Sequence, residues 1–133
     1  NLDNEINYLG LEQNILLLEQ RVDIPVVMNG IDINILSSAF GEGFPNVIAE
    51  AMACGTPCVA TDVGDTAFIV GNTGWIIPPG NPQALANAIL KAVEEKLTKK
   101  QTWSARKMAC RNRIKEHFGI ETFLTNYHQV WGK

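Results

Sequence analysis

EGFPNVIAEAMACG, residues 42–55, sets two glutamates eight positions apart across a glycine-proline turn that opens a helix. Pro45 suits the first helical turn, where its missing N–H costs nothing, and Asn46, Val47, Ile48, Glu50, Ala51, Met52 and Ala53 can continue the helix until Gly55 stops it. Glu42 is thereby expected on the loop before a helix N-terminus and Glu50 about one and a half turns inside, so that both carboxylates can face one ligand. Between them the N–H groups of Gly43, Phe44 and Asn46 have no acceptor within the helix and form an anion site of the kind that seats a sugar diphosphate.

Outward from this stretch, short apolar runs alternate with helical ones, the pattern of a mostly parallel sheet with crossover helices. Residues 14–18 (NILLL) read as a buried strand, 23–29 (DIPVVMN) as a short helix capped by Asp23, and 33–38 (INILSS) as the next strand. A third strand spans 57–62 (PCVATD) and runs into the turn Val63-Gly64-Asp65, followed by a short segment at 66–70. The last strand, 74–79 (GWIIPP), carries prolines that place its end at an edge or a mouth. Asn81 then caps and Pro82 starts a helix with Leu85, Ile89, Ala92, Val93 and Leu97 on one stripe. A basic, less amphipathic helix over 102–118 ends at Gly119, and a final helix sets Ile120, Phe123, Leu124, Tyr127, Val130 and Trp131 at spacings of three and four, which requires an apolar surface to dock on.

A chain of 133 residues that is 46% hydrophobic suits one soluble domain with a real core. No apolar run approaches the roughly 20 residues of a membrane span, and no signal peptide opens the chain. It begins with Asn1 in what reads as mid-helix (NEINYLGL), so a longer protein truncated at its N-terminus is expected. Residues 1–90 hold ten acids and one base, Arg21, whereas residues 91–133 hold ten bases and four acids. A diphosphate near Gly43 must then be held by helix N–H groups or by cations outside this sequence. The late bases are spread over helical faces as a solvated surface, so no nucleic-acid partner is expected. Cys54, Cys58 and Cys110, with only His117 and His128 far away, give no zinc pattern and read as buried or half-buried thiols of a reducing cytosol. Trp75, Trp103 and Trp131 read as packing residues.

Residues 14–88 resemble the carboxy-terminal, donor-binding half of a GT-B nucleotide-sugar glycosyltransferase of the large retaining family 4. The resemblance is carried, in order, by LGLEQNILLL, RVDIPVVMNGIDINILSS, GEGFPNVIAEAMACGTPCVATDVG and TGWIIPPGNPQALANAI. It implies an α/β fold, a Rossmann-like parallel sheet with flanking helices, with residues 1–133 a partial nucleotide-sugar-binding domain whose core spans about 14–97 and whose carboxy-terminal helices span about 101–132. By the same resemblance Glu42 contacts hydroxyls of the transferred sugar and serves as the catalytic residue, and Glu50 holds the ribose. Backbone N–H groups at Gly43, Phe44, Asn46 and Val47, around Pro45, meet the sugar and phosphates. The family needs no cofactor and typically no metal. Its phosphate-gripping cations and its acceptor site, for a glycan or lipid-linked acceptor, lie in sequence before residue 1. The isolated chain is therefore expected to bind donor weakly, to transfer nothing, and to expose strand edges that a dimer would cover. A cytoplasmic setting, at the inner face of a membrane, goes with such enzymes.

Each candidate also has a plainer use. Glu42 could stabilise the helix dipole with no ligand, and Glu50 could be a solvent-facing helix acid. Asp62, Gly64 and Asp65 end a strand where open α/β sheets bind ligands, but Asp also simply forms turns, and Asp65 stands where the family more often has a second glycine. Ser37 and Ser38 end a strand beside the site, with capping as their alternative. Two other functions compete: a nucleotide-sugar-binding module without chemistry, and a GT-B-like sugar-nucleotide epimerase, which would alter the donor without an acceptor.

Overall fold

Three parallel strands, β1 (Asn34–Leu36), β2 (Cys58–Thr61) and β3 (Trp75–Ile77), form one sheet in the order β1-β2-β3. The computed structural model describes residues 1–41 and 43–131, without the side chains of residues 123 and 127–131. Two helices, α1 (Leu2–Tyr8) and α2 (Ile24–Gly30), precede the sheet, α3 (Asn46–Ala53) and α4 (Thr66–Val70) connect its strands, and α5 (Pro82–Thr98), α6 (Lys100–Phe118) and α7 (Ile120–Trp131) follow it. The parallel α/β sheet with flanking helices is the architecture expected, and β3, with its following prolines, lies at an edge as expected.

Side chains alternate across the sheet, so each strand serves two cores. Cys58 and Ala60, with Leu36 and Ile76, face the larger one, which buries Met28, Ile48, Met52, Ile69, Val70 and Cys110. Val59 and Ile77, with Ile33 and Trp75, face the smaller one against Ala88 and Ala92 of α5. β2 is central and buried along its whole length, which explains its unbroken apolar run. The carboxy-terminal helix α6 is part of the larger core through Cys110, Ile114 and Phe118. Burial pushes the Cys58 thiol up to about 12. All three cysteines are free thiols.

The cap of α3 is built as its sequence requires. Gly55, at φ 77°, donates to the Met52 carbonyl and Thr56 to that of Ala51, each at 2.9 Å, the paired bonds of a Schellman turn. The Ala84 N–H of α5 donates to Asn81 Oδ1 at 2.9 Å. Asp23 occupies the N-cap position of α2, but its carboxylate is taken by Arg21 instead of the helix.

Three expectations are corrected. Residues 14–18 form no strand: the segment turns where Asn14 and Ile15 N–H bond the Leu11 carbonyl, then runs unpaired with Ile15, Leu16, Leu17 and Leu18 exposed. A strand needs a neighbour to satisfy its backbone, and the described sheet offers this segment none. On α5 the expected stripe holds at Leu85, Ile89 and Ala92, which pack with Ala88 on the smaller core, but stops short of Val93 and Leu97, which are exposed. The 17-residue helix is about 26 Å long while strands of this size span roughly 10–14 Å, so its last turns overhang the sheet. On α7, Ile120 and Leu124 are exposed, not docked; the side chains of Phe123, Tyr127, His128, Val130 and Trp131 lie outside the described residues.

Candidate functional site

The loop before α3 and the loop after β2 meet at the carboxyl end of the sheet, where doubly wound folds place ligands. Pro45 is the N-cap of α3, buried and extended (φ −75°, ψ 94°), one position earlier than the first helical turn. The first bond of the helix end runs from Ile48 N–H to the Pro45 carbonyl at 3.0 Å. Asn46 and Val47 open the helix, where backbone N–H groups lack acceptors inside it. Asn46 is exposed and Val47 half-buried. Gly43 and Phe44 are exposed just ahead of this end.

Glu50 lies one turn beyond Asn46, on the side away from Ile48, Ala51 and Met52, which are buried. Its carboxylate is exposed and has no hydrogen bond or ion pair among the described residues. Glu42 lies outside the described residues. The structure thus brings residues 43–47 and Glu50 to one end of α3.

The loop after β2 is tied to the same place. Asp65 N–H donates to the Gly43 carbonyl at 3.0 Å, and Gly64 takes a positive φ of 53° to make that turn. Asp65 is the N-cap residue of α4 but makes no side-chain cap bond, and Asp62 is exposed. Ser38 contributes its carbonyl, which accepts from Thr61 Oγ1 at 2.6 Å. Thr61 is a residue that the sequence reading passes over. Its signal is a hydroxyl ending an otherwise apolar strand, and its role is to bind the strand end to the loop after β1.

On the other side of the sheet the carboxyl ends of all three strands border a cleft of about 220 Å³ lined by Ser37, Thr61, Ile77, Asn81, Pro82 and Leu85. That is below the roughly 300 Å³ at which small-molecule pockets begin. Arg21, the one base of residues 1–90, is engaged by Asp23. Among the described residues no group of three His, Cys, Asp or Glu side chains gathers as a metal site, and no helix is long and apolar enough to cross a membrane.

Residues 1–95 match the family described as glycosyl transferases group 1. The chain belongs to that family. As a group 1 glycosyl transferase it is 29% identical over 123 residues to the UDP-Gal:alpha-D-GlcNAc-diphosphoundecaprenol alpha-1,3-galactosyltransferase of Escherichia coli, covering 89% of this chain and 30% of that one. It is 31% identical over 124 residues to the Vi polysaccharide biosynthesis protein VipC/TviE of Salmonella typhi, covering 90% of this chain and 21% of that one. The crystal structure of Anabaena HepE in complex with UDP superposes with a TM-score of 0.88 at 30% identity, over 98% of this chain and 35% of that one. HepE has also been solved with UDP-glucose. The chain spans about a third or less of the length of these relatives. Its fold is that of GT-B glycosyltransferase structures.

Proposed function

We propose that this chain is the donor-binding part of a retaining, family 4 glycosyltransferase, the carboxy-terminal half of a GT-B fold, which moves a sugar from a nucleotide-diphosphate carrier to a glycan or lipid-linked acceptor. The observation that carries the reading is the exposed amino end of α3, held at the carboxyl end of the sheet by the bond between Asp65 and Gly43, with the exposed Glu50 carboxylate, which has no partner among the described residues, one turn along. Helix N–H groups and the helix dipole favour a diphosphate there, and a carboxylate accepts two vicinal ribose hydroxyls well. UDP and UDP-glucose in HepE favour a uridine carrier. The diphosphoundecaprenol acceptor in the name of the Escherichia coli relative favours a lipid-linked one, used at the cytoplasmic face of a membrane.

In this reading the amides at 43–47 take the phosphates and Glu50 the ribose, while Glu42 meets the hydroxyls of the transferred sugar. Ser38, Asp62, Gly64 and Asp65 support the loops from behind. Catalysis is then positioning together with stabilisation of the departing diphosphate, which helps to deprotonate the acceptor hydroxyl from the same face. The chemistry calls for no cofactor. The acceptor is held by chain beyond this sequence, so the 133-residue protein is expected to bind UDP-glucose without transferring its sugar. Turnover by the purified chain would refute that part.

The test of the site is Glu50→Gln, which keeps the shape and removes the charge. Charge-assisted hydrogen bonds are worth about 1.5–3 kcal/mol, so titration calorimetry with UDP should show affinity lower by about tenfold or more. Unchanged affinity would remove Glu50 from the site.

A further inference from the structure

We propose that Phe118, on the last turn of α6, is a positioning residue that sets the loop ahead of α3 for the donor diphosphate; this rests on the reading of that loop as the donor site. The Phe44 ring of the loop meets the Phe118 ring edge to face, with centroids 5.7 Å apart and planes at 61°. Phe118 in turn meets Phe68 of α4 at 5.6 Å and 82°. Such pairs are directional, so they fix the orientation of the loop as well as covering surface.

A second support reaches the same loop from behind. Arg113, five residues before Phe118 on α6, donates from Nε to the Ile69 carbonyl at 2.7 Å and from Nη2 to the Phe68 carbonyl at 2.6 Å. These are end carbonyls of α4, which lack donor partners within so short a helix. The other end of α4 begins at Asp65, whose N–H holds the Gly43 carbonyl. Residues 43 and 44 are therefore gripped twice, through the backbone by way of α4 and through the Phe44 ring, and both grips lead to α6. Packing for stability alone would hide these rings, yet Phe44 is 44% and Phe68 66% exposed. Half-exposed rings forfeit much of the burial energy while keeping the geometry. Preorganised donors need such support, because a loop that wanders must be ordered again when the phosphate arrives.

The experiment uses Phe118→Ala, Phe118→Leu and Phe44→Ala, each well below its unfolding midpoint, with two readouts: hydrogen exchange at the Asp65 amide, and affinity for UDP by calorimetry. We expect exchange at the Asp65 amide, which is bonded to the Gly43 carbonyl, to quicken at least tenfold in Phe118→Ala, UDP affinity to fall about fivefold, and Phe118→Leu to fall in between. Should Phe118→Ala not fold, Phe44→Ala removes the same ring contact from its exposed side and must give the same two changes. Wild-type affinity in variants that lack the ring contact overturns the inference and leaves the donor site standing. No UDP binding by the wild-type chain overturns the donor reading and this inference with it.

Discussion

Single glycines carry more of this fold than their size suggests. A Cβ on Gly74 would lie 2.3 Å from the Cys58 carbonyl oxygen and 2.9 Å from Val70 Cγ1, so β3 lies against β2 with no room for a methyl group. Gly71, at φ 56°, is also crowded, since a Cβ there would lie 2.5 Å from Arg113 Cζ, but the obstacle is the tip of a side chain, which can move at the expense of its hydrogen bonds to α4. Gly74→Ala should therefore cost about 3 kcal/mol or more and Gly71→Ala about 1–2 kcal/mol, as read from urea unfolding. Equal losses would mean that the seam between β2 and β3 yields more readily than its backbone contacts indicate. The turn glycines and Pro45 were legible in the sequence because their role is local. The partner of Phe44 was not, since Phe118 is distant in the chain and only folding brings the two rings together.

Among the elements, an ion pair ties α6 to α5. Arg106 donates two hydrogen bonds to Glu95, at 2.7 and 2.9 Å, and its guanidinium lies 4.3 Å from the ring centre of Trp75 on β3. The hydrogen bonds from Arg106 hold the Glu95 carboxyl below its ordinary value, and the pairing raises Arg106. With the folded value depressed, the pair's stabilisation is complete above the unfolded carboxyl value near pH 4.3 and is lost as pH falls through the lower folded one. Glu95→Gln should be less stable than wild type by about 1 kcal/mol at pH 7, and the gap should narrow as pH falls below about 4, followed by urea unfolding at each pH. A gap that persists at pH 3 would show that the amide disturbs packing instead of charge. Helix starts and stops followed from caps, prolines and glycines, whereas the point at which the buried face of α5 ends did not, because the length of the neighbouring strands decides which turns find a surface.

Across the whole molecule, the outer edge of β1 and the segment at 15–18 leave apolar surface in water. Ile35 is 45% exposed and Leu16 81%. Unpaired strand edges beside apolar patches invite pairing with a second chain. Sedimentation velocity should show the wild-type chain associating as its concentration rises, with Ile35→Lys shifting it back toward monomer; a concentration-independent monomer would show that the edge is protected by its own flank. By itself the sequence determined the alternation of strands and helices, the glycine and proline punctuation, and the α3 end with its Glu50, since each depends on neighbours a few residues apart. Only the tertiary structure decided that 14–18 stays unpaired, that α6 enters the main core, and that Phe118 and Arg113 stand behind the α3 loop. Those outcomes depend on which surfaces meet in space and on whether a strand finds a hydrogen-bonding neighbour, and neither is written in local periodicity.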